Sequence, residues 1–293
     1  MNARREAMYG YLFTLPWMIG MSVFMLYPVV ASCWYSFCDY SVLKPPMWIG
    51  LANYQELFQD EVFWQATRNT LVFAMLSLPL STVVALALAV LLNGKVRGQS
   101  VYRALFFMPS LVPVVPVAVL WFWLFNGDHG IINVMLHSMH IPTVNWMSNP
   151  AYTKWAIVVL TVWGGGNTML IYLAGLQDVP TSLLEASELD GASGAQRFRH
   201  VTVPMISPVI LFNVVMGLIG SLQVFAVPYV LWPTGSPERS AYFYAMYLFD
   251  NAFKFNKMGY ACAMGVLMFL MILVLTLALL KVGERKVHYQ DGG

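Results

Sequence analysis

The chain has 293 residues, 59% of them hydrophobic and only 10% charged, with a formal net charge of +2. Soluble domains carry about 25% charged residues, so this composition excludes an ordinary soluble globule. It also offers none of the basic surplus that a nucleic-acid partner would call for.

Six apolar stretches are long enough to cross a bilayer, which takes roughly 20 residues of helix. In chain order they are Tyr11–Phe37, Leu71–Leu92, Leu105–Phe125, Trp155–Leu176, Ile206–Leu231 and Met258–Leu280, and none contains Asp, Glu, Lys, Arg or His. Backbone in lipid must satisfy its own hydrogen bonds, and uninterrupted apolar runs of this length suit helices rather than barrel strands. The sequence therefore predicts an all-α membrane protein of six transmembrane helices. Val30-Ala31-Ser32-Cys33 loosely resembles a lipoprotein cleavage box, but the run before it is long and holds Pro16 and Pro28, so an uncleaved first span is expected.

Arg4, Arg5, Lys95, Arg97, Arg103, Arg197, Arg199, Lys281, Arg285 and Lys286 fall on one side; Lys44, Arg68, Lys154, Arg239, Lys254 and Lys257 fall on the other. The larger basic group marks the cytoplasm, so both termini are expected there. On the other side, residues 38–69 hold Trp48, Tyr54, Phe58, Phe63 and Trp64, and the next outer loop holds Trp146. These aromatics suit the headgroup belt and equally a lid that meets a partner. Cys33, Cys38 and Cys262 show no metal or redox spacing, and a Cys33–Cys38 pair stays open.

Recognisable catalytic chemistry is missing. Gly94-Lys95-Val96-Arg97-Gly98 lacks the spacing of a phosphate-binding loop, and there is no H-E-x-x-H or G-x-S-x-G string. The histidines lie outside the spans; His137 and His140, three apart, read as a solvated loop pair rather than a metal site. No metal site and no cofactor are expected in this chain. Proton-coupled carriers need ionisable groups at depth, and the spans have none. Energy for any transport must come from elsewhere.

The polar island from Glu185 to Pro208 lies between two apolar spans. Ser182-Leu183-Leu184-Glu185 reads as a capping box, opening a helix that runs to about Asp190. Gly191 suits the left-handed residue just past a helix end. Ser193-Gly194-Ala195-Gln196 is a second box, starting a helix towards Val203. Pro204 and Pro208 mark the start of the fifth span. Three acids in the first helix, Glu185, Glu188 and Asp190, suit an anionic lipid surface poorly and a protein cleft well. In the fourth span, Trp163-Gly164-Gly165-Gly166-Asn167-Thr168 interrupts the helix near mid-membrane. Glycine in a helix interior costs about 1 kcal/mol against alanine. Close helix packing through small residues is one return; exposed backbone beside a Trp and neutral polar groups, suited to a sugar, is the other.

The string E-A-S-E-L-D-G-A from Glu185 resembles the EAA loop of binding-protein-dependent ABC importer permeases, with Ser187 where the family pattern has a third alanine. Phe198 and Val201-Thr202-Val203-Pro204 are similar to its sugar-importer form. The resemblance extends to Gly50-Leu51-Ala52-Asn53-Tyr54 with Phe58, to Asn69-Thr70, to Pro109 and Trp121–Asn126, and to Trp163–Gln177. These segments are similar to a MalF-like subunit and cover nearly the whole chain.

That resemblance implies a type I importer permease fold in a bacterial inner membrane. Residues 1–66 would be the N-terminal tail, first helix and first periplasmic loop; 67–281 the permease core, with a coupling loop at 177–205; and 282–293 a cytoplasmic tail. Glu185, Ala186, Ser187, Asp190, Gly191 and Ala192 would dock on an ATPase. Trp163, Gly165, Asn167 and Thr168 would line the solute path, with Gly220, Ser221 and Gln223 facing them. The implied partners are a second, MalG-like permease subunit, two cytoplasmic ATPase subunits carrying ATP and Mg, an extracytoplasmic solute-binding protein, membrane lipid and a carbohydrate. The chain itself is expected not to be an enzyme. Glycerol phosphate or another polyol derivative is an alternative solute, as is a uronate oligosaccharide. A channel or secondary carrier working alone is the alternative from another class.

Overall fold

The computed structural model describes residues 3–94 and 97–284. Lys95, Arg285 and Lys286 of the charge count, and residues 285–293 of the tail, lie outside the described residues. Among the described residues, four helices are long and apolar enough to cross a membrane: Tyr9–Tyr35, Glu61–Asn93, Ser207–Leu231 and Met258–Gly283. Two more spans exist only as bent pairs, Gln99–Leu111 with Val114–Leu124 and Pro150–Trp163 with Gly166–Gln177. Counting each pair once gives the six expected spans.

The first apolar helix is α1 (Ala3–Met21), which passes through a π-turn at Ser22–Leu26 into α2 (Tyr27–Tyr35). Pro28, in the first turn of α2, has no amide for the carbonyl four residues back, and the ladder widens just ahead of it. An antiparallel hairpin follows, β1 (Cys38–Ser41) with β2 (Lys44–Trp48). The all-helical expectation did not include it. Pro45 and Pro46 carry no amides, so one of them withholds a donor from the far edge of β2, which discourages a third strand from adding. Then come α3 (Ala52–Gln59) and α4 (Glu61–Asn93).

The third span, expected as one helix over Leu105–Phe125, is instead α5 (Gln99–Leu111) and α6 (Val114–Leu124), bent by 99°. Pro113 is the cause. The residue before a proline is pushed out of the helical region, and Val112 is extended, with φ −78° and ψ 132°. α7 (Ile131–Ser138) lies in the following loop. The fourth span is α8 (Pro150–Trp163) and α9 (Gly166–Gln177), bent by 47°. The rest is α10 (Thr181–Leu189), α11 (Gly194–Arg197), a π-turn at Phe198–Thr202, α12 (Val203–Met205), α13 (Ser207–Leu222), α14 (Ala226–Leu231), α15 (Tyr244–Phe249) and α16 (Met258–Glu284).

Two compact units divide the chain. The first holds Met1–Phe63 and Tyr247–Met271. Within it, the Asn53 amide donates to the carbonyls of Ser36 and Cys38, each at 2.9 Å, pinning α3 to the start of the hairpin. A Cβ on Gly259 would overlap the Cys38 carbonyl, so α16 approaches the hairpin where only glycine fits. Asp60 accepts from the Val62 amide (2.8 Å), from Tyr260 (2.7 Å) and from Tyr247. Burial works to raise its carboxyl; hydrogen bonds from Tyr247, Tyr260 and the Val62 and Phe63 amides outweigh that and hold it below the usual carboxylate range. Cys33 is exposed, Cys38 is buried, and both are free thiols.

The second unit holds Trp64–Met246 and the described residues from Ile272 to Glu284. At one end, the starts of α4 and α8 meet the 232–243 loop. The Asn69 amide donates to the Arg239 and Tyr242 carbonyls at 2.8 and 3.0 Å. Thr153 and Ser240 share a hydrogen bond of 2.9 Å, and the Trp232 indole donates to the Met147 carbonyl at 2.9 Å. In the loop after α6, Asn133 ties the Gly127 and Val144 carbonyls at 2.9 Å each, and Trp146 donates to it at 3.3 Å. These bonds fold that loop into a cap. At the other end, Ala85, Ala89 and Leu92 of α4 pack with Met169, Tyr172, Leu173 and Leu176 of α9 and with Val179 and Ile206. This core places the 180–205 segment at the far end of the unit from the 232–243 loop.

Candidate functional site: a coupling hairpin and a broken span

The polar segment folds as a helical hairpin. α10 ends in a Schellman motif: the Gly191 amide donates to Glu188 O (3.1 Å) and the Ala192 amide to Ser187 O (3.0 Å). That motif requires a left-handed residue, and Gly191 supplies it with φ +78°. The second capping box is present, Ser193 N donating to Gln196 Oε1 (2.8 Å) and Gln196 N to Ser193 Oγ (3.4 Å). The first is not. The cap of α10 is Pro180, already extended at ψ 126°, so the helix starts at Thr181 and Ser182 sits inside its first turn. A serine there is too late to hold the N3 amide. Further on, Pro204 lacks the amide owed to His200 O, and the ladder widens into the π-turn before it. Ser207 Oγ donates to the Pro204 carbonyl at 2.6 Å where Pro208 cannot.

All six residues expected to dock a partner lie on this hairpin. Glu185, Ala186, Asp190 and Gly191 are exposed, and Ser187 and Ala192 are half-buried. Among the described residues, Glu185 and Asp190 make no ion pair, whereas Glu188 bridges to Arg197 at 2.9 Å across the hairpin. The tip also presents Leu189, 90% exposed. Sequence reasoning passed over it, although a leucine between Glu188 and Asp190 in a polar segment was the available signal. The base of the hairpin is its opposite: Val179 and Ile206, at its two ends, are both buried in the α4–α9 core. A rigid base and an exposed tip suit a lever.

The helix break at Gly164–Gly165 opens three small cavities. Asn167 and Thr168 line one of about 320 Å³ with Ser81, Thr82, Asn213 and Gly217. Trp163 and Gly165 line a second, of about 510 Å³, whose other walls are apolar and include Leu88 and Phe106. Trp163 and Asn167 share a third, of about 310 Å³, with Ser110 and Val227. Trp163 is edge-on to Trp121, with ring centroids 5.6 Å apart.

On α13 the wall of the 320 Å³ cavity is made by Phe212, Asn213, Met216 and Gly217. Gly220, Ser221 and Gln223 line none of these three cavities. Ser221 is buried and its hydroxyl donates to Leu218 O at 2.9 Å. Gly220 and Gln223 are exposed near the end of α13. The residue opposite Asn167 and Thr168 is Asn213, whose amide donates to Val209 O at 3.0 Å. A lone asparagine inside an apolar span was the missed signal, with Ser81 and Thr82 in the second span beside it. The walls of the 320 Å³ cavity carry neutral hydrogen-bonding groups and no charge. Among the described residues, no three His, Cys, Asp or Glu side chains come together as a metal site would need.

Residues 57–289 match the family model described as "Binding-protein-dependent transport system inner membrane component". The chain is 38% identical over 294 residues to the probable ABC transporter permease protein YesP of Bacillus subtilis (strain 168), covering 99% of this chain and 95% of that one. It is 34% identical to the trehalose/maltose transport system permease protein MalF of Thermococcus litoralis, covering 96% and 95%. Its fold matches a chain in the crystal structure of a bacterial alginate ABC transporter in complex with an alginate pentasaccharide-bound periplasmic protein. The TM-score there is 0.85, at 24% identity over 97% of this chain and 98% of that one. With the bent spans and the Gly191 hairpin in place, and the family match covering most of its length, the chain belongs to the binding-protein-dependent transport system inner membrane components.

Proposed function

We propose that the chain is one permease subunit of an ATP-driven carbohydrate importer, forming half of the translocation pore. The observation that carries the reading is the hairpin over Thr181–Met205, with its buried base, its exposed acidic and apolar tip, and its place at the far end of the unit from the 232–243 loop. The relatives point the same way on solute: those named above include a trehalose/maltose permease, and a further one is the arabinooligosaccharide permease AraP of Bacillus subtilis, 32% identical over 275 residues.

In this reading both termini and the hairpin face the cytoplasm. Glu185, Ala186, Asp190, Gly191 and the added Leu189 seat in a cleft of an ATPase subunit. Two such subunits hold the ATP and Mg; this chain holds neither. A second permease subunit completes the pore, and an extracytoplasmic binding protein delivers solute to the opposite face. Closure of the ATPases moves the hairpin, whose base in the α4–α9 core passes the displacement to the broken span. Solute crosses through the cavity of Asn167, Thr168 and Asn213, where neutral amides and hydroxyls hydrogen-bond sugar hydroxyls and Trp163 offers a stacking face. A channel working alone would leave the built hairpin without a purpose.

The test is uptake by cells expressing the chain with its transport partners. Glu185→Lys is expected to abolish uptake and release the ATPase while the chain still inserts. Trp163→Ala is expected to reduce uptake and leave ATPase assembly intact. Normal ATPase copurification and normal solute-stimulated hydrolysis with Glu185→Lys would overturn the docking assignment.

A further inference from the structure

At the end of the second unit away from the hairpin, a polar cavity of about 340 Å³ is bounded by Gln65, Arg68, Asn69, Lys154, Glu238 and Ser240. That volume is in the range of small-ligand sites. Most of its polar wall is already engaged. The Gln65 amide donates to the Glu238 carbonyl at 2.9 Å, Asn69 holds the Arg239 and Tyr242 carbonyls, and Ser240 is paired with Thr153. These bonds fix Glu238 and Arg239 in consecutive left-handed conformations, φ +49° and +53°, a backbone that non-glycine residues rarely adopt unaided.

The charged side chains of Arg68, Lys154 and Glu238 are what remain. Arg68 on α4 and Lys154 on α8 are near enough for their charges to act on each other. Among the described residues, neither has a carboxylate within ion-pair distance. Like charges brought together with no carboxylate in contact raise the energy of the empty site, and an anion between them lowers that cost. Glu238 borders the same cavity, so its single charge leaves the trio one unit positive. Arg68 also lies two heptads from Thr82 and so on the same face of α4, about 21 Å along the helix. Arg68 of the cationic cavity and Thr82 of the neutral cavity thus share one face of α4.

We propose that Arg68 and Lys154 form an anion-recognition site at the mouth of the solute path, and that its ligand is the carboxylate of an acidic, uronate-type saccharide. The guanidinium fork matches a carboxylate in two parallel hydrogen bonds, and the ammonium supplies a third donor. This rests on the carbohydrate reading above and narrows it to sugars carrying a carboxylate.

The test is titration of the purified full-length chain, in nanodiscs of uncharged phosphatidylcholine, with trigalacturonate and with neutral maltotriose. Trigalacturonate is expected to bind at least about tenfold more tightly, the value of one charge-assisted hydrogen-bond pair. R68Q/K154Q abolishes the preference, R68K/K154R keeps it, and added salt shrinks it. Equal affinity for the two sugars, a preference that survives in R68Q/K154Q, or no binding of either overturns the proposal. Maltotriose binding that requires Asn213, without any gain for trigalacturonate, overturns this site alone and leaves the carbohydrate path standing. Loss of both kinds of binding counts against both.

Discussion

The hairpin over Thr181–Met205 and the break at Gly164–Gly165 both interrupt apolar helix, yet different forces hold them. The hairpin is made by neighbours in sequence: a left-handed glycine, a Schellman pair of backbone bonds and a Ser193–Gln196 box. Little of it is buried between its ends. The break is made by distant segments. A Cβ on Gly166 would stand 2.5 Å from Phe106 O and 2.9 Å from Phe107 Cα, so α9 lies against the backbone of α5. One region is a local device offered outward; the other is a consequence of packing and encloses space. In the proposed reading, the partner site is of the first kind and the solute site of the second.

That contrast is broken most strongly at Gly166. Gly166→Ala forces backbone against backbone and should destabilise the chain by about 1–3 kcal/mol, read as a lower thermal unfolding midpoint of the purified protein. Gly164→Ala, whose added Cβ would meet only ordinary contacts at 3.6 and 3.7 Å, should be close to neutral. Equal midpoints for the two variants would show that packing does not set the break.

Gly191→Ala should cost about 1–2 kcal/mol of left-handed strain, confined to the hairpin. Coupling of uptake to ATP hydrolysis should fall while the global unfolding midpoint barely moves. A large fall in the midpoint would mean that the hairpin is part of the core after all. Asn213→Leu should lower uptake about tenfold, the equivalent of one lost hydrogen bond to solute, with ATPase assembly unchanged. Ser221→Ala, whose hydroxyl is turned onto its own helix, should leave uptake as it was; the reverse ranking would move the path towards the end of α13. The smallest effect is expected at Glu188→Gln. The Glu188–Arg197 bridge is exposed, at 71% and 30% of the two side chains, and such pairs contribute about 0–1 kcal/mol. Hydrogen exchange in α11 would report the slight loosening.

Some of this was legible in the residues. Gly191 and the Ser193–Gln196 box name their own geometry, because caps and left-handed turns depend on residues within one helical turn. The Ser182 box failed for an equally local reason, since Pro180 capped the helix two residues ahead of the expected cap. The triple glycine marked where the fourth span breaks. The pairing across the cavity was not legible: Ser221 and Asn213 are both small polar residues in one apolar run, and periodicity cannot tell which of them meets α9.

By itself the sequence determined six apolar segments, their helical character, the hairpin and the family, because bilayer thickness, backbone hydrogen bonding and capping all act over short stretches of chain. Only the tertiary structure decided that the third span bends by 99° at Pro113, that Asn213 rather than Ser221 joins Asn167, and that Arg68 and Lys154 border one cavity with no ion-pair partner among the described residues. Those facts depend on which helices lie side by side, and side chains 86 or 46 residues apart acquire a shared chemistry only when packing brings them together.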